Sequence, residues 1–262
     1  DRRKLLRDFG RNIYRPKLAG NPWARLTALG SYREVGRACH LITTNESRVI
    51  IDVGVNIASS TDPLPYFNAP EALPLEKLDA VVLTHAHLDH AGMLPVLFKY
   101  GYNGPVYCTP PTRDMMLMLQ SDYLKVAGME GKSPPYEMEH IREAMKHVID
   151  INWNETTDIT PDVKLTMTNA GHILGSSACH FNIGEGKHNI VFTGDTKFEK
   201  SWLFDAANVK FPRCETLVIE STYGAQGDFQ PSRLEATSEL QDIIKRTIGR
   251  NGKIILPVFA VG

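Results

Sequence analysis

Thr84-His85-Ala86-His87-Leu88-Asp89-His90 is the stretch on which the fold turns. It puts three histidines and one aspartate into six residues, directly behind the apolar run 78–84, Leu-Asp-Ala-Val-Val-Leu-Thr. Such a run is expected of a strand buried on both faces of a sheet. In an extended loop leaving that strand, alternate side chains project to the same side, so His85 and His87 can pinch one metal ion between their imidazoles. Asp89 and His90 then turn onto a second position. The spacing differs from H-E-x-x-H, where two histidines one helical turn apart face a single ion.

Two ions need more ligands than one loop supplies, and later strand-to-loop junctions offer them. His172 follows a strand in Asn169-Ala170-Gly171-His172-Ile173-Leu174-Gly175-Ser176, where glycines let the backbone approach closely. Asp195 follows Ile190-Val191-Phe192-Thr193-Gly194, and a carboxylate there can bridge both ions. Asp52 ends the apolar strand 49–53 and is expected to orient a ligand loop or a metal-bound water through hydrogen bonds. Glu220, in Leu217-Val218-Ile219-Glu220-Ser221-Thr222-Tyr223-Gly224, has the same placement and needs a cationic or histidine partner if buried. His40 and His180 are expected in strand packing, His188 in solvent, and His140 and His147 as surface or capping residues. Histidine-rich ligation favours zinc over manganese.

Working outward, strands are expected at 26–32, 38–44, 48–53, 106–109, 163–168, 177–183, 189–193 and 216–220. Helices are expected at 92–100, 112–127, 137–148 and 232–248, with a new strand at 253–258. The Met115, Met116, Met118 and Leu119 stripe is expected to fill core. Two strand sets separated by helices imply an α/β (α+β) fold, a four-layer αββα sandwich.

At 262 residues, 42% hydrophobic and 23% charged, the chain can bury a sizeable core. Its net charge of −1 excludes a whole-molecule positive field, so a polyanionic substrate must be drawn by metal ions and local basic patches. No apolar run approaches the roughly 20 residues that span a bilayer, no signal peptide is visible, and a cytoplasmic protein is expected. Cys39, Cys108, Cys179 and Cys214 are far apart and read as reduced, mostly buried thiols. Residues 1–25 carry eight cations against Asp1 and Asp8, with Phe9, Tyr14 and Trp23 interleaved. They read either as an arm touching nucleic-acid phosphates or as a basic connector from an upstream region, and the connector is the preferred reading. Flanking sequence is expected on both sides, because the chain opens without methionine and closes at Gly262 behind an apolar run.

These residues resemble a known family. Asp52, the 85–90 loop, His172 and Asp195 match, in order, four motifs of the metallo-β-lactamase fold. Residues 219–224 resemble the first motif of the β-CASP nucleases, and Leu256-Pro257-Val258-Phe259-Ala260-Val261-Gly262 resembles the first strand of their inserted domain. The combination is similar to the archaeal relatives of the endonuclease subunit of cleavage and polyadenylation specificity factor. The resemblance implies a metallo-β-lactamase domain over 26–224, the start of a β-CASP domain over 225–262, and KH-type RNA-binding domains ahead of residues 1–25. It implies two Zn2+ ions, one on His85, His87 and His172, the other on Asp89 and His90, with Asp195 between them. It implies that a hydroxide held between the ions attacks an RNA phosphodiester, endonucleolytically or from the 5′ end, in 3′-end processing, transcription termination or RNA decay. Asp52, Asp89 and Glu220 are the implied catalytic residues. The histidine pairing with Glu220 and another completing the second zinc come from motifs later than Gly262, so that position is expected to be incomplete within these residues. RNA is the implied partner, with a homodimer through a later segment. The rival readings are a small-molecule hydrolase of the same fold, a DNA-processing β-CASP nuclease, and a non-catalytic scaffold subunit.

Overall fold

The computed structural model describes residues 2–18, 20–59 and 61–261. Asp1 of the basic stretch and Gly262 of the final motif lie outside them. The chain divides into two compact units, 1–220 and 221–262. The basic stretch 1–25 therefore falls within the first unit, and the division comes four residues ahead of the boundary expected at 224.

The first unit is the expected α/β sandwich. One sheet has six strands in the order β1 (Ala24–Gly30), β2 (Cys39–Thr44), β3 (Arg48–Ile51), β4 (Ala80–Val82), β5 (Val106–Cys108) and β6 (Val148–Asp150). The first three run antiparallel as a meander, and β3 to β6 are parallel. The other sheet is ordered β11 (Thr216–Val218), β10 (His188–Phe192), β9 (Ser177–Ile183), β8 (Val163–Asn169) and β7 (Thr156–Thr160). Only the β10–β11 pair in it is parallel.

Side-chain alternation sorts the apolar residues into two cores. Val49, Ile51, Ala80, Val82 and Tyr107 point between the sheets, where they meet Leu165, Met167, Phe181, Ile190 and Phe192. Their neighbours Leu41, Ile50, Val81, Val106 and Cys108 point the other way, under the helices. Those helices are α2 (Leu88–Ala91), α3 (Leu94–Lys99), α4 (Pro110–Met129) and α5 (Met138–His147). Each large aliphatic or aromatic side chain so buried is worth about 1.5–3 kcal/mol. On the outer face of the second sheet, His180 stacks on Phe211 at 6.1 Å and bonds the Arg213 carbonyl at 2.9 Å, so residues 205–213 run over that face.

Several local expectations change. The helix expected over 92–100 forms as α3, Leu94–Lys99, and a separate short helix, α2, precedes it inside the histidine motif. α4 starts at Pro110, ahead of the expected 112, because Pro110 and Pro111 sit in the first turn, where no N–H is needed, and Thr109 caps it through Thr112 N. Within the methionine stripe Met116 is buried, but Met118 is half exposed. A further helix, α1 (Arg2–Ile13), forms in the basic stretch, with Phe9 buried against the His147 ring at 5.5 Å. His147 is therefore not at the surface: it is buried, with Nδ1 2.9 Å from the Gly104 carbonyl.

In the second unit, α6 (Arg233–Gly249) starts at a capping box, in which Ser232 accepts from Glu235 N and Glu235 from Ser232 N. Residues 253–258 form no strand: no ladder partner pairs with them among the described residues, and Ile255 and Val258 are exposed.

Candidate metal centre

The candidate ligands gather where the two sheets meet, at the C-terminal ends of β3, β4, β8 and β10. There the Thr84 carbonyl, just past β4, accepts from Ser177 N at the start of β9 (2.8 Å) and joins one sheet to the other.

Asp52 follows β3 with φ +59°, a left-handed conformation that aspartate tolerates better than most residues. Its N–H donates to the Val82 carbonyl, and its carboxylate is buried. Three donors converge on that carboxylate at 2.8 Å each: Thr84 N–H on Oδ1, and the Thr84 hydroxyl and His90 Nδ1 on Oδ2. This arrangement fixes two tautomers. The Thr84 hydroxyl gives its single proton to Asp52, so toward His85 Nδ1, 3.1 Å away, it can only accept. His85 then carries its proton on Nδ1 and turns the bare Nε2 inward. His90 likewise spends Nδ1–H on Asp52 and turns Nε2 toward Asp195.

Short helix α2 carries Asp89 and His90 and is laced to two other segments. Ala38 N donates to the Asp89 carbonyl (2.8 Å), Val55 N to Leu88 (2.9 Å) and Val53 N to His90 (2.6 Å). The approach is so close that a Cβ on Gly54 would lie 1.6 Å from the Asp89 oxygen. Ser176 Oγ receives the His172 and Ile173 amides and shapes the His172 loop. Gly194 brings Asp195 in at φ +55°, where a Cβ would meet Thr84 Cβ at 2.7 Å.

Two clusters result. His85 Nε2 and His172 Nε2 each lie 3.2 Å from His87 Nδ1, and Asp195 Oδ2 lies 3.9 and 3.6 Å from His85 and His172. Asp195 Oδ1 lies 3.2 Å from His90 Nε2, which is 3.8 Å from Asp89 Oδ2. Both sets, His85–His87–His172–Asp195 and Asp89–His90–Asp195, have ligand atoms close enough to hold an ion. A tetrahedral ion bound at about 2.0–2.1 Å separates its ligands by roughly 3.3 Å, so the three imidazoles fit one.

The electrostatics are those of a site built for positive charge. Burial, reinforced by His90, His172 and His87, holds His85 well below its ordinary pKa, and therefore neutral with a free lone pair. Burial also lowers His172, partly offset by Asp195. Burial opposes charge on His90, but Asp52 and Asp195 override it and hold the imidazole up. Burial pushes Asp195 up, and the His90 contact outweighs it, leaving the carboxyl below its usual range.

Glu220 follows β11 at the rim. Its Oε1 accepts from Thr196 N (3.3 Å), the residue after Asp195, and its charge reaches His172. Away from the centre, His40 packs against Tyr32 and Phe192, and His188 bonds Thr216 Oγ1 at 2.9 Å rather than standing in solvent. His140 caps α5 by accepting from Glu137 N. All four cysteines are free, three buried and Cys214 exposed. Sequence reasoning missed Thr84 and Ser176. A hydroxyl residue at the end of an apolar strand, next to a ligand histidine, was the available signal for Thr84.

A family model described as the metallo-beta-lactamase superfamily matches residues 32–250. Curated relatives named transcription termination factor FttA are similar along the whole chain. That of Methanosarcina mazei is 54% identical over 262 residues, covering 100% of this chain and 41% of the relative. That of Methanothermobacter thermautotrophicus is 52% identical over 264 residues, again covering 100% and 41%. That of Lokiarchaeum sp. is 48% identical over 258 residues, covering 98% and 40%. The chain thus spans about two fifths of the length of the curated relatives it matches. Among the described residues no helix is long and apolar enough to cross a membrane.

Proposed function

The chain belongs to the metallo-beta-lactamase superfamily, and from that premise we propose that it is the metal-binding part of a β-CASP ribonuclease acting in transcription termination or RNA 3′-end processing in the cytoplasm. The observation that carries this reading is Asp195, whose two carboxylate oxygens reach into different clusters, Oδ1 to His90 at 3.2 Å and Oδ2 to His172 at 3.6 Å. One carboxylate shared between two ligand sets suits a two-ion hydrolase, the class to which two-metal nucleases belong. The likeness to archaeal factors named for transcription termination points the substrate toward RNA.

In this reading His85, His87 and His172 would hold one Zn2+ and Asp89 and His90 a second, with Asp195 lending a carboxylate oxygen to each set. A bound pair supplies Lewis acidity toward a phosphate and activation of water for in-line attack. Asp52 does not touch the reacting atoms. It acts by keeping the His90 and Thr84 protons on the far side, so that lone pairs face the ions. Glu220, whose Oε1 accepts from Thr196 N beside Asp195, would pair with a histidine from a later motif that protonates the leaving oxygen. The second set has three ligands from this chain against four in the first, and it is the weaker of the two.

The test is zinc content together with cleavage of a labelled single-stranded RNA, and of the DNA strand of the same sequence, by full-length wild type and Asp89→Ala. RNA cleavage that Asp89→Ala abolishes is expected. Equal cleavage by both proteins would remove the two-ion mechanism, and cleavage of DNA alone would replace the substrate.

A further inference from the structure

The metal chemistry makes no use of α1, where the basic charge of the molecule is concentrated. Of 29 lysines and arginines, eight fall in residues 1–25, against two of 30 acidic residues, so the remaining chain is acidic. Leu5, Phe9 and Ile13, one turn apart, face inward, and Arg2 donates to the Val148 carbonyl at 3.0 Å, which fixes the helix on the body of the first unit. Arg3, Lys4, Arg7 and Arg11 stand on its exposed side. Arg3, Arg7 and Arg11 form a row with one cation about every 6 Å. Like charges at that spacing disfavour the helix, and a polyanion along the row relieves the repulsion. The one acid of α1, Asp8, meets Arg11 through a solvent-exposed contact of 3.4 Å.

At the C-terminal end of α1, Asn12 and Arg15 line a groove of about 920 Å³ that Trp23, Arg25, Arg48 and Lys77 also line. Trp23 is 45% exposed, with the Arg25 guanidinium 5.7 Å from its ring centroid. Glu46, Glu71, Glu76 and Asp79 also line the groove and offset its cations, so it offers an aromatic face and hydrogen bonds rather than net attraction. The attraction comes from α1. Helix and groove lie across the N-terminal ends of the parallel strands, since Arg2 bonds Val148 at the start of β6 and Arg15 pairs with Asp79 (3.0 Å) just before β4. The metal centre lies at the other ends of those strands. Five residues of extended chain, about 17 Å, separate Asp79 from Thr84.

We propose that the exposed basic row of α1 and the Trp23 groove form a docking surface for single-stranded RNA, at the end of the sandwich opposite the metal centre. The proposal rests on the reading of the chain as an RNA-cleaving hydrolase. An unpaired strand alternates phosphates with stackable bases, and so matches a cation row that runs into an aromatic groove. An acidic protein surface would use the row and leave Trp23 idle. Docked here, a long RNA is held away from the site of cleavage, and a short one is not.

The test uses the full chain, with Arg3, Lys4, Arg7 and Arg11 all changed to Glu, a milder set with all four changed to Gln, and Trp23→Ala separately. The probes are labelled oligouridylates of about 16 and about 4 nucleotides, the span of single-strand site sizes. Binding is read as log K against log salt, and cleavage separately. For the long probe the slope should flatten by about 0.7 per lost contact, up to about 2.8 for four, in both helix variants. Trp23→Ala should lower long-probe affinity with little change in slope. The short probe should bind and be cleaved as by wild type, at unchanged melting temperature. An unchanged slope and affinity for the long probe in both helix variants would overturn the proposal and leave α1 to a protein partner. Absence of cleavage by wild type would count against the hydrolase reading, while the binding slope still decides on α1.

Discussion

Asp52→Asn is nearly isosteric, yet its effect on the metal centre is far from neutral. The carboxylate accepts three donors at 2.8 Å, whereas an amide has one acceptor oxygen and one donor nitrogen. With the amide oxygen on Thr84 N–H, the NH2 faces Thr84 Oγ1 and His90 Nδ1. The Thr84 hydroxyl can rotate and accept from both the new amide and His85 Nδ1–H. His90 can accept only by moving its proton to Nε2, the nitrogen that faces Asp195 at 3.2 Å. The flipped amide instead points NH2 at Thr84 N–H, two donors head to head in a buried site, at a cost of about 1–3 kcal/mol. The first arrangement wins, and the Asp89–His90–Asp195 position loses an imidazole lone pair while the three-histidine position keeps its tautomers. Loss of such support typically weakens a metal 10–100-fold, about 1.4–2.7 kcal/mol. Chelator competition on zinc-loaded protein should therefore resolve one ion held as in wild type and one released 10–100-fold more easily. Wild-type affinity at both positions, or equal weakening at both, would refute the tautomer argument.

Asp195→Ala and Asp89→Ala should separate in metal analysis. The first removes the shared carboxylate and depletes both positions, while the second leaves the three-histidine ion in place; equal stoichiometries would reject the sharing. In metal-free protein, His40 should make stability fall in acid. Burial lowers its folded pKa to about 4 from 6.5. The unfolded chain then gains a proton as pH drops through 6.5 while the folded one stays neutral down to about 4, and stability present above 6.5 is lost across that window. The loss is at most about 3 kcal/mol. Urea midpoints at pH 7 and 4.5 should lie closer together in His40→Phe, whose ring fits between Tyr32 and Phe192, than in wild type; equal shifts in both proteins would remove His40 as the cause.

Much of this was visible in the residues. The apolar runs through Arg48–Ile51 and Ala80–Val82 were enough to place β3 and β4, because a strand buried on both faces has no polar face to interrupt the run. The helix expected over 232–248 forms as α6, which starts at the Ser232–Glu235 capping box. What escaped had a non-local cause. α1 was hidden because its only inward positions are Leu5, Phe9 and Ile13 amid arginines, and a basic run looks the same in water whether helical or not. β6 and β7 were missed because three to five residues carry too little pattern and borrow their order from β5 and β8. The strand expected over 253–258 fails for the converse reason, since apolar propensity makes no ladder without a partner.

The ligand chemistry was a property of the sequence alone: imidazole and carboxylate are fixed by residue type, and His85, His87, Asp89 and His90 could be assigned to two positions from spacing within one loop. Which lone pair each histidine presents was decided only by the folded chain. Asp52 and Thr84 are 32 residues apart, and His87 and His172 85 apart. The protons of His85 and His90 are placed through the Asp52 carboxylate, which comes within 2.8 Å of Thr84 Oγ1 and His90 Nδ1 only once the chain has folded.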